Sequence, residues 1–151
     1  GVLLGGGDTT IELVTDVRHL EPEATSRQRV RLVLAEQAIG NYLGRIAVAR
    51  DAQLTDAAQS ARALVLKRTA TANLKPELEI FADDVKCAHG CTVGELDKAA
   101  LFYLQSRGVP PAEAESLLAQ AIVADALDGI ADPALRERLD AETRGWLERR
   151  T

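Results

Sequence analysis

Short segments with period-two patterning recur through the first two thirds of the chain: Ile11-Glu12-Leu13, Arg29-Val30-Arg31-Leu32, Ile46-Ala47-Val48, Leu64-Val65-Leu66 and Leu78-Glu79-Ile80. Successive side chains of a strand point to opposite faces, so these runs predict strands with one buried face. Their centres fall near residues 13, 32, 47, 64 and 80, a wider spacing than the turn-to-turn interval of a sandwich. Polar and small residues fill the intervals, as in Arg50-Asp51-Ala52-Gln53 and Thr69-Ala70-Thr71-Ala72-Asn73. Regular spacing without a strict sequence repeat predicts a β-solenoid in which each coil stacks on the last. A two-sheet sandwich is the competing arrangement, and spacing alone separates the two only slightly.

Beyond residue 96 the period becomes helical. Asp97 is placed to cap a helix through Leu96-Asp97-Lys98-Ala99-Ala100-Leu101-Phe102-Tyr103-Leu104-Gln105-Ser106-Arg107, and Gly108 to end it. Pro110 and Pro111 open a second helix with Glu113 and Glu115 near its positive end. Ala114, Leu117, Leu118, Ala121 and Ile122 would form its apolar stripe. Asp132-Pro133 starts a third helix, with Leu135, Leu139 and Trp146 expected on its inner face. Residues 1–96 therefore read as stacked strands and 97–151 as a small helical domain.

Charge narrows the partners. The chain has 151 residues, with 18 Lys and Arg against 23 Asp and Glu, a net charge of −5. No basic stripe and only five aromatic residues argue against a nucleic-acid partner. No apolar run reaches the length of a membrane span, and no signal peptide is visible. Two cysteines are too few for a disulfide scaffold and fit a reducing, cytoplasmic compartment. The chain has no methionine and opens on Gly1, so a piece of a longer protein is expected.

Reactive residue types concentrate in Asp83-Asp84-Val85-Lys86-Cys87-Ala88-His89-Gly90-Cys91. If the segment is extended, Cys87, His89 and Cys91 share one face, and thiolate and imidazole are ligands for zinc and for iron–sulfur clusters. The cysteines of an extended segment would stand about 13 Å apart and remain thiols. Cys-x-His-x-Cys is not a common structural zinc spacing, and no second cysteine pair exists. Residue chemistry alone favours the plainer reading, two reduced cysteines beside a hydrogen-bonded histidine. His19, at an expected strand end, reads as a surface or hydrogen-bonded group. Gly5-Gly6-Gly7-Asp8 is a turn without the Gly-Lys-Ser/Thr of a phosphate loop. No nucleophile elbow, zinc-protease helix or paired-carboxylate arrangement stands out, so an enzyme active site is not expected.

Several ordered motifs together resemble one family. Asp83 to His89, with Cys91 to Asp97 following, is similar to the SufB/SufD family of iron–sulfur cluster assembly proteins, the SufD branch more than the SufB branch. His19, Pro22, Ser26 and Gln28 resemble its histidine–proline–serine–glutamine stretch. Gly44-Arg45-Ile46, Ala52-Gln53-Leu54-Thr55-Asp56-Ala57, Asn73 to Ile80, and Leu101-Phe102-Tyr103-Leu104-Gln105-Ser106-Arg107-Gly108 resemble further family segments.

The resemblance implies a right-handed parallel β-helix followed by a small C-terminal α-helical domain. It implies a non-catalytic scaffold that pairs with a SufB-like subunit and recruits a SufC-like ATPase, with Leu101, Phe102, Tyr103 and Arg107 as a docking surface. It further implies a transient iron–sulfur cluster shared with the SufB-like subunit, with Cys87 and His89 as ligands and none bound tightly by the chain alone. Cys91, where relatives usually carry alanine, is a candidate third ligand. Leu54, in place of a usual lysine, and Ala61-Arg62-Ala63, in place of asparagine–arginine–asparagine, depart from the family pattern. The family's N-terminal helical domain and first coils are not in this sequence, and an unpaired coil invites pairing with a second copy, so a homodimer is expected. The alternative is a stand-alone zinc protein or hydrolase built on the Cys87, His89 and Cys91 face.

Overall fold

A computed structural model describes residues 1–150 as seven strands followed by three helices. The strands are β1 (Val2–Gly5), β2 (Thr10–His19), β3 (Thr25–Leu34), β4 (Ile39–Val48), β5 (Asp56–Val65), β6 (Thr71–Ile80) and β7 (Lys86–Gly94). Every pairing is parallel and joins a strand to the next but one, giving sheets β1-β3-β5-β7 and β2-β4-β6. Thr10 lies beside Ile39 and Thr25 beside Asp56, so each coil advances by about thirty residues. This is a β-solenoid flattened into two facing sheets. Pairing between alternate strands excludes the sandwich, in which sequential strands pair antiparallel.

The corners stack as the strands do. Gly7, Glu23, Glu36 and Leu54 take positive φ between successive strands, and backbone bonds tie corner to corner, as from Glu23 N to Gln53 O and Leu54 N to Asp84 O. The three non-glycine residues carry this left-handed geometry at a cost of about 1 kcal/mol each. Leu54 is thus a corner residue with an exposed side chain.

Two apolar clusters fill the space between the sheets. One holds Val30, Leu32, Leu34, Ala38, Tyr42, Ala61 and Ala63, the other Ile46, Val48, Ala52, Ala57 and Ala82. A third forms where Val33 and Leu64 on the outer face of the larger sheet meet Ala119, Val123, Leu127 and Leu147.

The helices are α1 (Lys98–Ser106), α2 (Pro111–Leu127) and α3 (Pro133–Glu148). Asp97 caps α1 by accepting from Ala99 N and Ala100 N, and Asp132 caps α3 through Ala134 N and Leu135 N. Gly108 follows the end of α1 with φ +89°, the left-handed stop. The inner faces differ from the sequence expectation. On α2 the buried stripe is Ala114, Ser116, Ala119, Val123 and Leu127, while Leu117 and Ala121 face outward. On α3 Thr143 and Leu147 are buried, and Leu135 and Leu139 are exposed. α2 is apolar around much of its circumference, so its period does not choose a face; docking on the sheet does.

Candidate functional site

Lys86–Gly94 forms the last strand of the larger sheet. β7 pairs with β5 on one side, and no described strand pairs with its other side. Cys87, His89 and Cys91 stand in register with Ala57, Gln59 and Ala61, all buried between the sheets. Neighbouring residues in a parallel ladder share a face, so all three belong to the inner face, at the rim where the stack of coils ends. Cys87 packs against the Ile46, Val48 and Ala57 cluster and is partly covered; His89 and Cys91 are exposed. Both cysteines are free thiols. Across the rim, β6 presents half-buried Leu74, Pro76 and Leu78.

Beneath the rim lies a polar thread through an otherwise apolar interior. Gln59 Nε2 donates to the Tyr42 hydroxyl at 2.7 Å, and that hydroxyl lies 3.1 Å from Thr15 Oγ1. Thr15 Oγ1 donates to Gln28 Oε1 at 3.2 Å. Gln28, Gln59 and His89 are successive rungs of one ladder. Gln28 Nε2 and Gln59 Oε1 are buried without a partner among the described residues. The sequence reading singled out Gln28 as part of a motif but missed Gln59 and Tyr42, because an isolated polar residue in a strand normally reads as solvent-facing.

Among the described residues no three His, Cys, Asp or Glu side chains gather closely enough to hold a metal ion. The three residues of the motif are strung along one strand, which gives no support to a self-sufficient zinc centre. Cys87 and His89 could offer two soft donors at an open rim, and a metal or cluster held there would need further ligands from outside the described residues. His19 is buried, with Nε2 2.9 Å from Ser26 Oγ, in agreement with a hydrogen-bonded role.

On α1, Phe102 and Tyr103 are 73% and 57% exposed, while Leu101 is half-buried. The Arg107 guanidinium sits 5.1 Å from the Tyr103 ring centroid. The helical layer is held to the solenoid by Arg31, which is buried on β3. Its Nε donates to Asp125 Oδ2 on α2 at 2.9 Å, Nη2 reaches the same oxygen, and Nη1 donates to Val30 O and Ser60 O. The hydrogen bond from Arg31, with its charge, holds the Asp125 carboxyl below the usual carboxylate range, against the opposing effect of burial. No described helix is long and apolar enough to cross a membrane.

Parallel coils, helices laid on one sheet and a thiol- and imidazole-bearing strand at the end of the stack define a β-helix protein. The model of the SUF system FeS cluster assembly SufBD core domain matches residues 1–122. The chain belongs to that family. It is 41% identical over 118 residues to a SufBD family iron–sulfur cluster assembly protein of Synechocystis, covering 78% of this chain and 26% of that protein. It is 34% identical over 125 residues to the iron–sulfur cluster assembly protein SufD of Escherichia coli, covering 83% and 30%. A chloroplastic protein of Arabidopsis thaliana is 34% identical over 143 residues, covering 93% and 30%. The chain thus spans less than a third of the length of these relatives.

Proposed function

We propose that the chain is a SufD-like scaffold segment of the SUF machinery, working in the cytoplasm and not itself a catalyst. Cys87 and His89 are offered as a partial ligand set to a nascent iron–sulfur cluster, and a SufB-like subunit supplies the rest across the free edge of β7. A SufC-like ATPase docks on the helical layer through Phe102, Tyr103 and Arg107, with Leu101 beneath them. Cys91 extends the thiol face. The observation that carries the reading is the placement of Cys87 and His89 on the inner face of a terminal strand with one free edge, in a chain of the SufBD core family. An incomplete site releases its cargo readily, which suits a scaffold better than a resident cofactor.

The test is co-purification with SufB-like and SufC-like proteins, followed by anaerobic iron and sulfide analysis. His89→Ala is expected to lower retained iron by about tenfold or more, with partner capture unchanged. Iron retained at the unsubstituted level removes His89 from the site. Stoichiometric zinc held by the chain alone would establish the zinc protein instead.

The same free edge makes self-association the default when no partner is present. Light scattering of the isolated chain is expected to move toward a dimer as concentration rises. A constant monomer mass means that the edge is protected.

A further inference from the structure

We propose that Gln59 is a positioning residue for His89, its buried carboxamide oxygen accepting the imidazole N–H and turning the other ring nitrogen toward the open rim. The purpose of this bond rests on the reading of His89 as a cluster ligand, but its existence does not.

With the Gln28 carboxamide oxygen toward Thr15, the polarity of the interior thread sets the orientation of Gln59. Thr15 has one hydroxyl proton, and it goes to Gln28 Oε1. Thr15 Oγ1 therefore accepts from the Tyr42 hydroxyl, whose oxygen accepts from Gln59 Nε2. Gln59 is 2% exposed, and this arrangement leaves its Oε1 as a buried acceptor with no donor among the described residues. A buried carbonyl oxygen without a donor is rare in a native interior and asks for an explanation. Gln28, one rung below, leaves its own Nε2 unbonded and does not reach it, and His89 reaches it by a rotation of its exposed ring. Cys87 and Cys91 are offset by two residues along β7, and a thiol is a weak donor.

His89 is the rung directly above, on the same face, one strand spacing of about 4.8 Å away. Its ring has no hydrogen-bond partner among the described residues, and a neutral imidazole carries one donor and one acceptor nitrogen. Pairing the donor with Gln59 Oε1 satisfies both groups and leaves the acceptor nitrogen facing outward. A metal-binding histidine needs this division: one nitrogen holds its proton against a carbonyl or carboxylate oxygen, which fixes the tautomer and aims the other.

The test is proton–nitrogen correlation spectroscopy of the imidazoles in this chain, at a pH where the rings are neutral. Only His19 and His89 contribute, and His89→Ala assigns the signals. One His89 tautomer is expected to exceed the other by about tenfold, the effect of a single ordinary hydrogen bond. Gln59→Leu should return it to a mixture near that of free imidazole, and Gln59→Glu, which keeps an acceptor oxygen, should restore the single form. The Ser26-bonded His19 signal reports that each variant is folded. A His89 tautomer ratio unchanged by a folded Gln59→Leu overturns the proposal. If that variant fails to fold, mixed tautomers in the unsubstituted chain overturn it equally. Iron loss in His89→Ala with a Gln59-insensitive tautomer would retire Gln59 and keep the ligand. Normal iron retention with a Gln59-dependent tautomer would retire the ligand and keep the bond.

Discussion

Gly44→Ala should destabilise the protein by about 3 kcal/mol, one of the largest effects available to a single methyl group in this fold. Gly44 lies on β4 with its missing side chain aimed at the polar thread. A Cβ there would lie 2.6 Å from Tyr42 Cζ and closer still to the Tyr42 hydroxyl and Gln59 Nε2. Tyr42 is fully buried, so the ring has nowhere to retreat, and moving Gln59 aside breaks the bond between them. Overpacking a core costs about 1–3 kcal/mol, and stranding a buried polar group adds a similar amount. In a chain of this size the melting temperature should fall by roughly 6–12 °C. Gly90 on β7 is the internal control, since a Cβ there meets nothing within 4 Å. Gly90→Ala is expected to melt with the unsubstituted protein. Equal melting of the two variants in thermal denaturation would mean that the interior around Tyr42 is looser than described.

Asp125→Ala and Arg31→Met remove the same ion pair and should differ sharply. The Arg31 side chain is only 3% exposed, whereas that of Asp125 is 42% exposed. Without Asp125, a buried guanidinium keeps two backbone carbonyls but loses its counter-charge, at a cost of about 3 kcal/mol. Without Arg31, the carboxylate turns to water and the methionine stem keeps the packing, at a cost of about 1 kcal/mol. The pH dependence follows from the lowered Asp125 pKa. A carboxylate held below its ordinary value of 3.8 contributes stability that is complete above that value. The contribution disappears as pH falls through the lowered value. Docking of α2 should therefore be insensitive to pH near neutrality and weaken only in strong acid. Asp125→Asn should abolish that acid step. Trp146, the sole tryptophan, packs against the cluster that joins the helices to the sheet, so its fluorescence reports the docking. An unchanged acid transition in Asp125→Asn assigns the step to other carboxylates.

The coil architecture was legible in the sequence because inward positions such as Val30, Leu32, Ile46 and Val48 carry enough apolar mass to show the period. The full ten-residue strands were not. Their remaining inward positions are Ala57, Gln59, Ala61, Gly40 and Gly44, small or polar residues that fit only because the sheets approach closely there. The helix starts were legible from their caps, since Asp97 and Asp132 act within three residues of their own positions. The helix faces were not, because they depend on contacts with strands far back in the chain. Arg31 is the sharpest case: charged residues in strands usually face water, and its partner lies 94 residues later. The Cys87, His89 and Cys91 face was visible from period-two spacing once the segment was taken as extended. Its rim position was not, because it depends on which strand ends the stack.

The thirty-residue step between paired strands also sets how the molecule assembles in time. Each new coil must close a loop of similar length, so no coil is entropically much harder to add than another. Such a chain orders like a zipper, every turn templated by its neighbour and stabilised again when the next arrives. Among the described residues the final turn receives no such second reinforcement. β7, paired on one side only, is therefore held less firmly than β3, β4 or β5, and on the proposed function a subunit that completes the sheet would also freeze the strand carrying Cys87 and His89. On that proposal, assembly with a partner and rigidity of the thiol–imidazole face would be a single thermodynamic event.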